Sequence, residues 1–360
     1  MRASKLVWIL PALAVFALVP AAEATPTCTA PARLMQWPAT SPVWEFCFLT
    51  PSQSSGPMGS GIELRDVYYK GHLVLKRAHE PILNVLYAPG ASCVCYRDWS
   101  YSEVRFEAIT ASGPASSGPG GFADVVVPPR TVCDVGGSGG DLGSFNGVAA
   151  EKLSDQLILT SQFQAGWYRY MMKWRFFLDG RIMPEFGFGA VAASCIAYNH
   201  THNVYWRLDF DIDGGDEDHV GIEAPYGSVG AELRARVLAT EKMTSLTGPT
   251  PLDGVPLVVQ DASGRGYRLI VPSEALGSKP DAFAVGDLWV LKYHPNELDD
   301  SGQSGPPCAI KFNNYLNPAE AVNNTDLVVW VRNGAFHAAS DLDDCHRTTF
   351  TLEPVGNWNH

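Results

Sequence analysis

Residues 199–214, Asn199-His200-Thr201-His202-Asn203-Val204-Tyr205-Trp206-Arg207-Leu208-Asp209-Phe210-Asp211-Ile212-Asp213-Gly214, hold two kinds of metal-ligating side chain in one short stretch. Read at the period of a β-strand, His200, His202, Val204, Trp206, Leu208, Phe210 and Ile212 fall on one face, and Arg207, Asp209, Asp211 and Asp213 on the other. Two imidazoles at i and i+2 on an apolar face suit a borderline metal such as copper, zinc or iron. The aspartates opposite offer hard oxygen ligands of the sort calcium or manganese takes. Plainer readings are two packed histidines and a solvated acidic face. The residue pattern alone does not choose a third imidazole among His219, His294, His337 and His346.

A strand bearing such groups must be held by others. Alternating or continuous apolar runs predict strands at 44–48, 62–69, 73–77, 81–87, 157–163, 167–177 and 181–187, and later at 233–239, 266–271, 288–293 and 327–331. Lys70-Gly71-His72 and Asp179-Gly180 read as hairpin turns. Residues 112–121 and 136–147, rich in Gly and Ser, read as flexible surface loops. No helix pattern follows the second to offer amides to a phosphate. With 34 Gly, 26 Pro and 11% aromatic residues, the chain reads as all-β, a large β-sandwich.

Met1 to Ala24 has Arg2 and Lys5, an apolar run from Leu6 to Pro20 and a small-residue site at Ala22-Glu23-Ala24, the pattern of a secretory signal peptide. Residues 25–360 then form one domain, with no charged or proline-rich linker, destined for an extracellular or periplasmic space. All eight cysteines lie in that part, which favours disulfides. Their pairing is not legible, except that Cys93 and Cys95 stand too close to choose each other. A formal net charge of −12 argues against nucleic acid or an anionic membrane as partner.

Residues 167–214 resemble the catalytic domain of the copper-containing primary-amine oxidases, which carry a topaquinone made from one of their own tyrosines. Trp174-Arg175-Phe176-Phe177-Leu178-Asp179-Gly180-Arg181-Ile182 is similar to the strand and turn downstream of that tyrosine, and counting back places Tyr168 at the quinone position. His200-x-His202 with Arg207-Leu208-Asp209-Phe210-Asp211-Ile212-Asp213-Gly214 is similar to the family's copper motif. Asp326-Leu327-Val328-Val329-Trp330-Val331, then His337, then Leu352-Glu353-Pro354-Val355, resembles its closing segment. The resemblance extends upstream to Gly61–Val85 and covers the catalytic domain alone.

That resemblance implies copper on His200, His202 and His337. It also implies a second cation, calcium or manganese, on Asp209, Asp211 and Asp326 with the carbonyls of Phe210 and Leu327. The implied reaction is oxidative deamination of a small primary amine by dioxygen, giving an aldehyde, ammonia and hydrogen peroxide, in a homodimer. The sequence departs from the family around the tyrosine. Trp167 stands where the family has Asn and Arg169 where it has an acidic residue; a second, supporting tyrosine falls at Lys76. The family's base motif is absent, leaving Asp98 and Glu103 as the candidate bases by position. Three further readings stay open: a copper-binding or interaction protein without turnover, a structural zinc site, and a lysine crosslink between Lys76 and an oxidised tyrosine. Asn199-His200-Thr201 and Asn323-Asn324-Thr325 fit the N-glycosylation pattern.

Overall fold

A computed structural model describes residues 25–88, 90–91, 93–135, 141–190, 194–214, 218–222, 236–244, 257–272, 286–298, 315–340 and 345–359. The chain is nearly all strand, as its composition predicts. Among the described residues, nine strands form one sheet and eleven another. No described helix is long and apolar enough to cross a membrane. The predicted leader lies outside the described residues, as do 136–140 of the second Gly/Ser loop and 233–235 of the predicted strand at 233–239, of which Arg236–Val237 forms a strand.

The strand His200–Phe210 sits in the middle of the nine-stranded sheet, antiparallel to His72–Tyr87 on one side and Leu327–His337 on the other. Its predicted apolar face is the inner one: Val204, Trp206, Leu208 and Phe210 belong to the main core with Tyr170, Met172, Trp174 and Phe176 of the other sheet. Trp206 meets Trp174 edge-on, centroids 5.2 Å apart. Each such fully buried side chain contributes on the order of 1.5–3 kcal/mol over leaving it in water.

The opposite face is not solvated as the alternation suggests; all eleven residues of the strand are buried. Ile82, Tyr205, Trp289, Leu291, Val328 and Trp330 form a second apolar cluster there, with Met243, Tyr293, Tyr315 and Leu316 packed against it. Arg207 and Asp209 are therefore buried charges, and they pair with each other at 3.2 Å.

His72–Tyr87 is one strand of 16 residues, where the sequence suggests two. The join falls at Pro81, which has no N–H to give a ladder. The register shifts there, with Ile82 opposite Tyr205 but His79 opposite Arg207, a bulge that accommodates the proline. In the other sheet the Asp179-Gly180 turn sets Tyr168–Phe177 against Ile182–Ala190, running from Phe176↔Ile182 to Tyr168↔Ala190. Gly180 has φ of +93°, and a Cβ there would come within 2.7 Å of the Tyr69 ring, so glycine is required twice over. Disulfides join Cys28 to Cys47, Cys93 to Cys195 and Cys133 to Cys345. Cys93 and Cys95 indeed avoid each other. The 112–121 loop contains half of a small hairpin, Ile109–Thr110 with Gly113–Pro114.

Candidate metal centre

At one end of the central strand the register brings the histidines together. His200 lies opposite Tyr87 on one neighbour and opposite His337 on the other. The ring centroids of His200 and His202 are 5.2 Å apart, and those of His200 and His337 4.8 Å. From the second sheet, Tyr168 and Tyr170, on the inward side of Tyr168–Phe177, reach the same place.

The hydrogen bonds fix which imidazole nitrogen carries the proton. His200 Nδ1 is 2.7 Å from the Tyr198 carbonyl oxygen, an acceptor only, so Nδ1–H donates and Nε2 keeps its lone pair. That Nε2 is 3.0 Å from the Tyr168 hydroxyl, which is also 2.7 Å from the Tyr87 hydroxyl. His202 Nδ1 is 3.1 Å from the Tyr170 hydroxyl, whose own proton goes to the Asp98 carboxylate. The Tyr170 oxygen therefore accepts from His202 Nδ1–H, and His202 Nε2 is left with a lone pair. It is buried and has no hydrogen-bond partner among the described residues.

Burial sets the charges. Desolvation, aided by the neighbouring imidazoles, pushes His202 well below its ordinary pKa; desolvation takes His200 down to about 4. Both rings are neutral at physiological pH, the form that ligates a metal. Desolvation raises Asp98 to about 6 against the lowering effect of the Tyr170 bond. Desolvation also raises Tyr87 to about 12 and holds Tyr168 and Tyr170 higher still, so all three phenols are protonated. Phe188 closes the floor, stacked on His202 at 3.6 Å.

Among the described residues, no group of three or more His, Cys, Asp or Glu side chains is arranged to hold a metal as it stands. The donor chemistry fits copper all the same: neutral imidazoles, defined tautomers and an orphaned Nε2 in a dry corner. With a metal–nitrogen bond of about 2 Å, two imidazoles side by side on one ion have centroids about 4.5–5 Å apart, close to the spacings seen here.

Of the two candidate bases, Asp98 is at the site and Glu103 is not. The Glu103 carboxylate accepts hydrogen bonds from the backbone N–H groups of Ser52 (2.8 Å) and Gly120 (2.7 Å), so it ties loops together. Lys76 is likewise elsewhere. It lies eleven residues from Tyr87 along the same strand, roughly 35 Å at the rise of an extended chain, and pairs with Asp66. The tyrosine beside Tyr168 is Tyr87, and a Lys76 crosslink to Tyr168 is out of reach. Arg169 forms a two-pronged pair with Asp141, Nη2 to Oδ2 at 3.2 Å, which neutralises the reversed charge at that position. The Trp167 indole N–H lies near enough to the Tyr87 and Tyr168 hydroxyls to favour their ionised forms, without aligning on either oxygen.

At the far end of the same ladder, Phe210 faces Leu327, which brings the chain positions of Asp209, Asp211 and Asp326 to that end. Asp218, which the sequence reading left out, joins them. It is fully buried, accepts from Ile212 N–H at 3.3 Å, and is driven up to about 8 by desolvation with Asp211, Asp261 and Asp326 around it. Tyr87 and Tyr170 were also missed at the histidine end, and His346, one of the possible third imidazoles, lies there too, 4.4 Å from His337 between ring centroids. Tyr170 carried a signal, its i+2 spacing from Tyr168 on a strand; Tyr87 becomes visible only through strand pairing.

Comparison with known proteins agrees with the expected kinship. Residues 184–357 match the family described as copper amine oxidase, enzyme domain. A primary amine oxidase of Pisum sativum is 23% identical over 270 residues, which are 58% of this chain and 40% of that protein. The lysyl oxidase of Pichia pastoris shares the fold with a TM-score of 0.58 at 16% identity, over 87% of this chain and 51% of that one. An amine oxidase of Aspergillus nidulans gives 0.54 at 18% identity, over 87% and 50%. The chain thus spans about half the length, or less, of these relatives.

Proposed function

We propose, from the premise that residues 184–357 belong to the copper amine oxidase family as its enzyme domain, that this protein is a secreted, copper-dependent oxidase of a primary amine. Tyr168 is its quinone precursor, and aldehyde, ammonia and hydrogen peroxide are its products. The leader 1–24 directs export, residues 25–360 act as one catalytic domain, and the working form is a homodimer. The observation that carries the reading is the Tyr168 hydroxyl, held at once by Tyr87 and by the Nε2 of His200 in a buried cluster of imidazoles.

His200, His202 and His337 would hold the copper, which with dioxygen supplies the oxidation of the tyrosine ring to topaquinone and so the electrophile for the amine. The rest falls to the chain's own groups. Tyr198 and Tyr170 fix the tautomers of His200 and His202, so that each presents a lone pair on Nε2. Tyr87 holds the hydroxyl of Tyr168 in line with His200. Asp98 is the general base for the substrate's α-proton. Its pKa, raised to about 6 by burial, leaves it ionised at neutral pH and basic enough to take a proton. Asp209, Asp211 and Asp326, with the carbonyls of Phe210 and Leu327, would hold calcium or manganese as a structural ion.

A second reading, copper binding without turnover, draws on Asp98, whose carboxylate is engaged by Tyr170 in the resting protein. One experiment separates the two. The protein is loaded with Cu(II) in air, then followed by visible absorption, quinone staining and peroxide release from a primary amine. Colour, staining and peroxide are expected, all lost in Tyr168→Phe. A colourless product with Tyr168 at its unmodified mass would end the oxidase reading.

A further inference from the structure

We propose that His346 is a fourth imidazole ligand of the copper centre, giving this protein a donor set of His200, His202, His337 and His346. The inference rests on the metal-centre reading above and goes beyond it, because the family resemblance supplies three histidines only.

Four observations place His346 there. Its ring centroid is 4.4 Å from that of His337, closer than His200 is to His202 or to His337. It also shares a neighbour with His202: Phe188 stacks on His202 at 3.6 Å and lies 5.1 Å from His346. His346 comes from a different strand, His346–Thr349, whose register sets it directly opposite Phe188. The donors therefore converge from three strands belonging to both sheets. Finally, the backbone on either side of His346 is pinned. Cys345 is bonded to Cys133, while Arg347 donates to the Cys133 carbonyl at 3.0 Å and reaches Asp134 and Glu185 at 3.3 Å each. A side chain held so firmly beside His337 is placed to ligate without ordering cost.

The chemistry agrees. Cu(II) favours a tetragonal set of four nitrogen or oxygen donors, and three histidines leave one such position open. An imidazole 4.4 Å from a ligand ring, at the spacing of side-by-side ligands, fills it. The disulfide then serves the metal site, since it fixes the strand that carries the fourth ligand.

The test counts ligands. The purified protein, stripped and reloaded with one equivalent of Cu(II), is measured by pulsed EPR for coupled imidazole nitrogens, and by chelator competition for affinity. Four imidazoles are expected in the wild type and three in His346→Gln, with affinity lower by about tenfold or more. Cys133→Ser/Cys345→Ser should weaken the fourth coupling while leaving three. Three imidazoles in the wild type, unchanged in His346→Gln, would overturn the proposal; this wild-type count stands even where the variants fold poorly. A three-imidazole protein that still forms its quinone loses this inference and keeps the oxidase reading. A four-imidazole protein that forms none does the reverse. A wild type that takes up no copper loses both.

Discussion

One antiparallel ladder, His200–Phe210 against Leu327–His337, ends in two unlike polar sites. At the His200↔His337 end burial keeps the His200 and His202 imidazoles neutral and the phenols of Tyr168 and Tyr170 protonated. At the Phe210↔Leu327 end they are carboxylates crowded in the interior, with Arg207 paired to Asp209 and desolvation lifting Asp209 to about 6 and Asp218 to about 8. The first end is ready for a soft or borderline ion at little electrostatic cost. The second is under electrostatic tension that a hard cation would relieve. A single strand separates the two by its length and by the alternation of its faces.

The deepest cut at the nitrogen end is His202→Ala. It removes the buried Nε2 that has no partner among the described residues, and copper affinity is expected to fall by far more than the loss of an outer group would cause. Chelator competition measures this, and calcium binding at the other end should not change. If both ions were lost together, the two ends would not be independent sites. Asp98→Asn comes next. It keeps the size of the side chain and removes the base, so amine turnover should drop by ~10²–10⁴ with quinone formation intact. In the wild type, turnover should fall away as pH drops through about 6, where Asp98 takes up its proton.

Tyr170→Phe has a smaller effect of a different kind. Tyr170 passes the Asp98 carboxylate's pull to His202 Nδ1–H, and outer partners of this type are worth about 10–100-fold in metal affinity. The variant should bind copper more weakly without losing an imidazole from the pulsed-EPR count. An affinity within twofold of wild type would show that His202 is oriented by Phe188 stacking alone.

Much of this contrast was legible in the sequence because a strand writes its two faces as alternate letters. The inner face from Val204 to Phe210 and the Asp179-Gly180 hairpin could be read, and His200, His202 and His337 were proposed as copper ligands by kinship. The partners that decide the chemistry could not. Tyr87 meets Tyr168 across 81 residues of sequence, and His346 meets His337 through a register set by its pairing with Phe188. Counting from a motif sent the supporting tyrosine to Lys76, at the wrong end of a strand whose bulge at Pro81 disguised its full length. Alternation also predicted water on the acidic face. What covers that face, Met243, Trp289 and Tyr315 among others, comes from segments distant in the chain.

The smallest effect expected is at the oxygen end and is read as stability against pH in the protein freed of divalent ions. Asp218 has a folded pKa raised to about 8, whereas an unfolded aspartate titrates near ~3.9. The folded state thus binds the extra proton between those values, so the group's favourable contribution is complete below about pH 4 and lost as pH rises towards 8. Asp218→Asn keeps the acceptor for Ile212 N–H and cannot ionise. Its melting temperature should be nearly level where the wild type declines. Calcium should close the gap by raising the wild type alone, since the ion compensates the charges that the pH rise exposes. Equal slopes for the two proteins, with or without calcium, would mean that Asp218 is ionised and already compensated. The oxygen end would then be as electrically quiet as the nitrogen end.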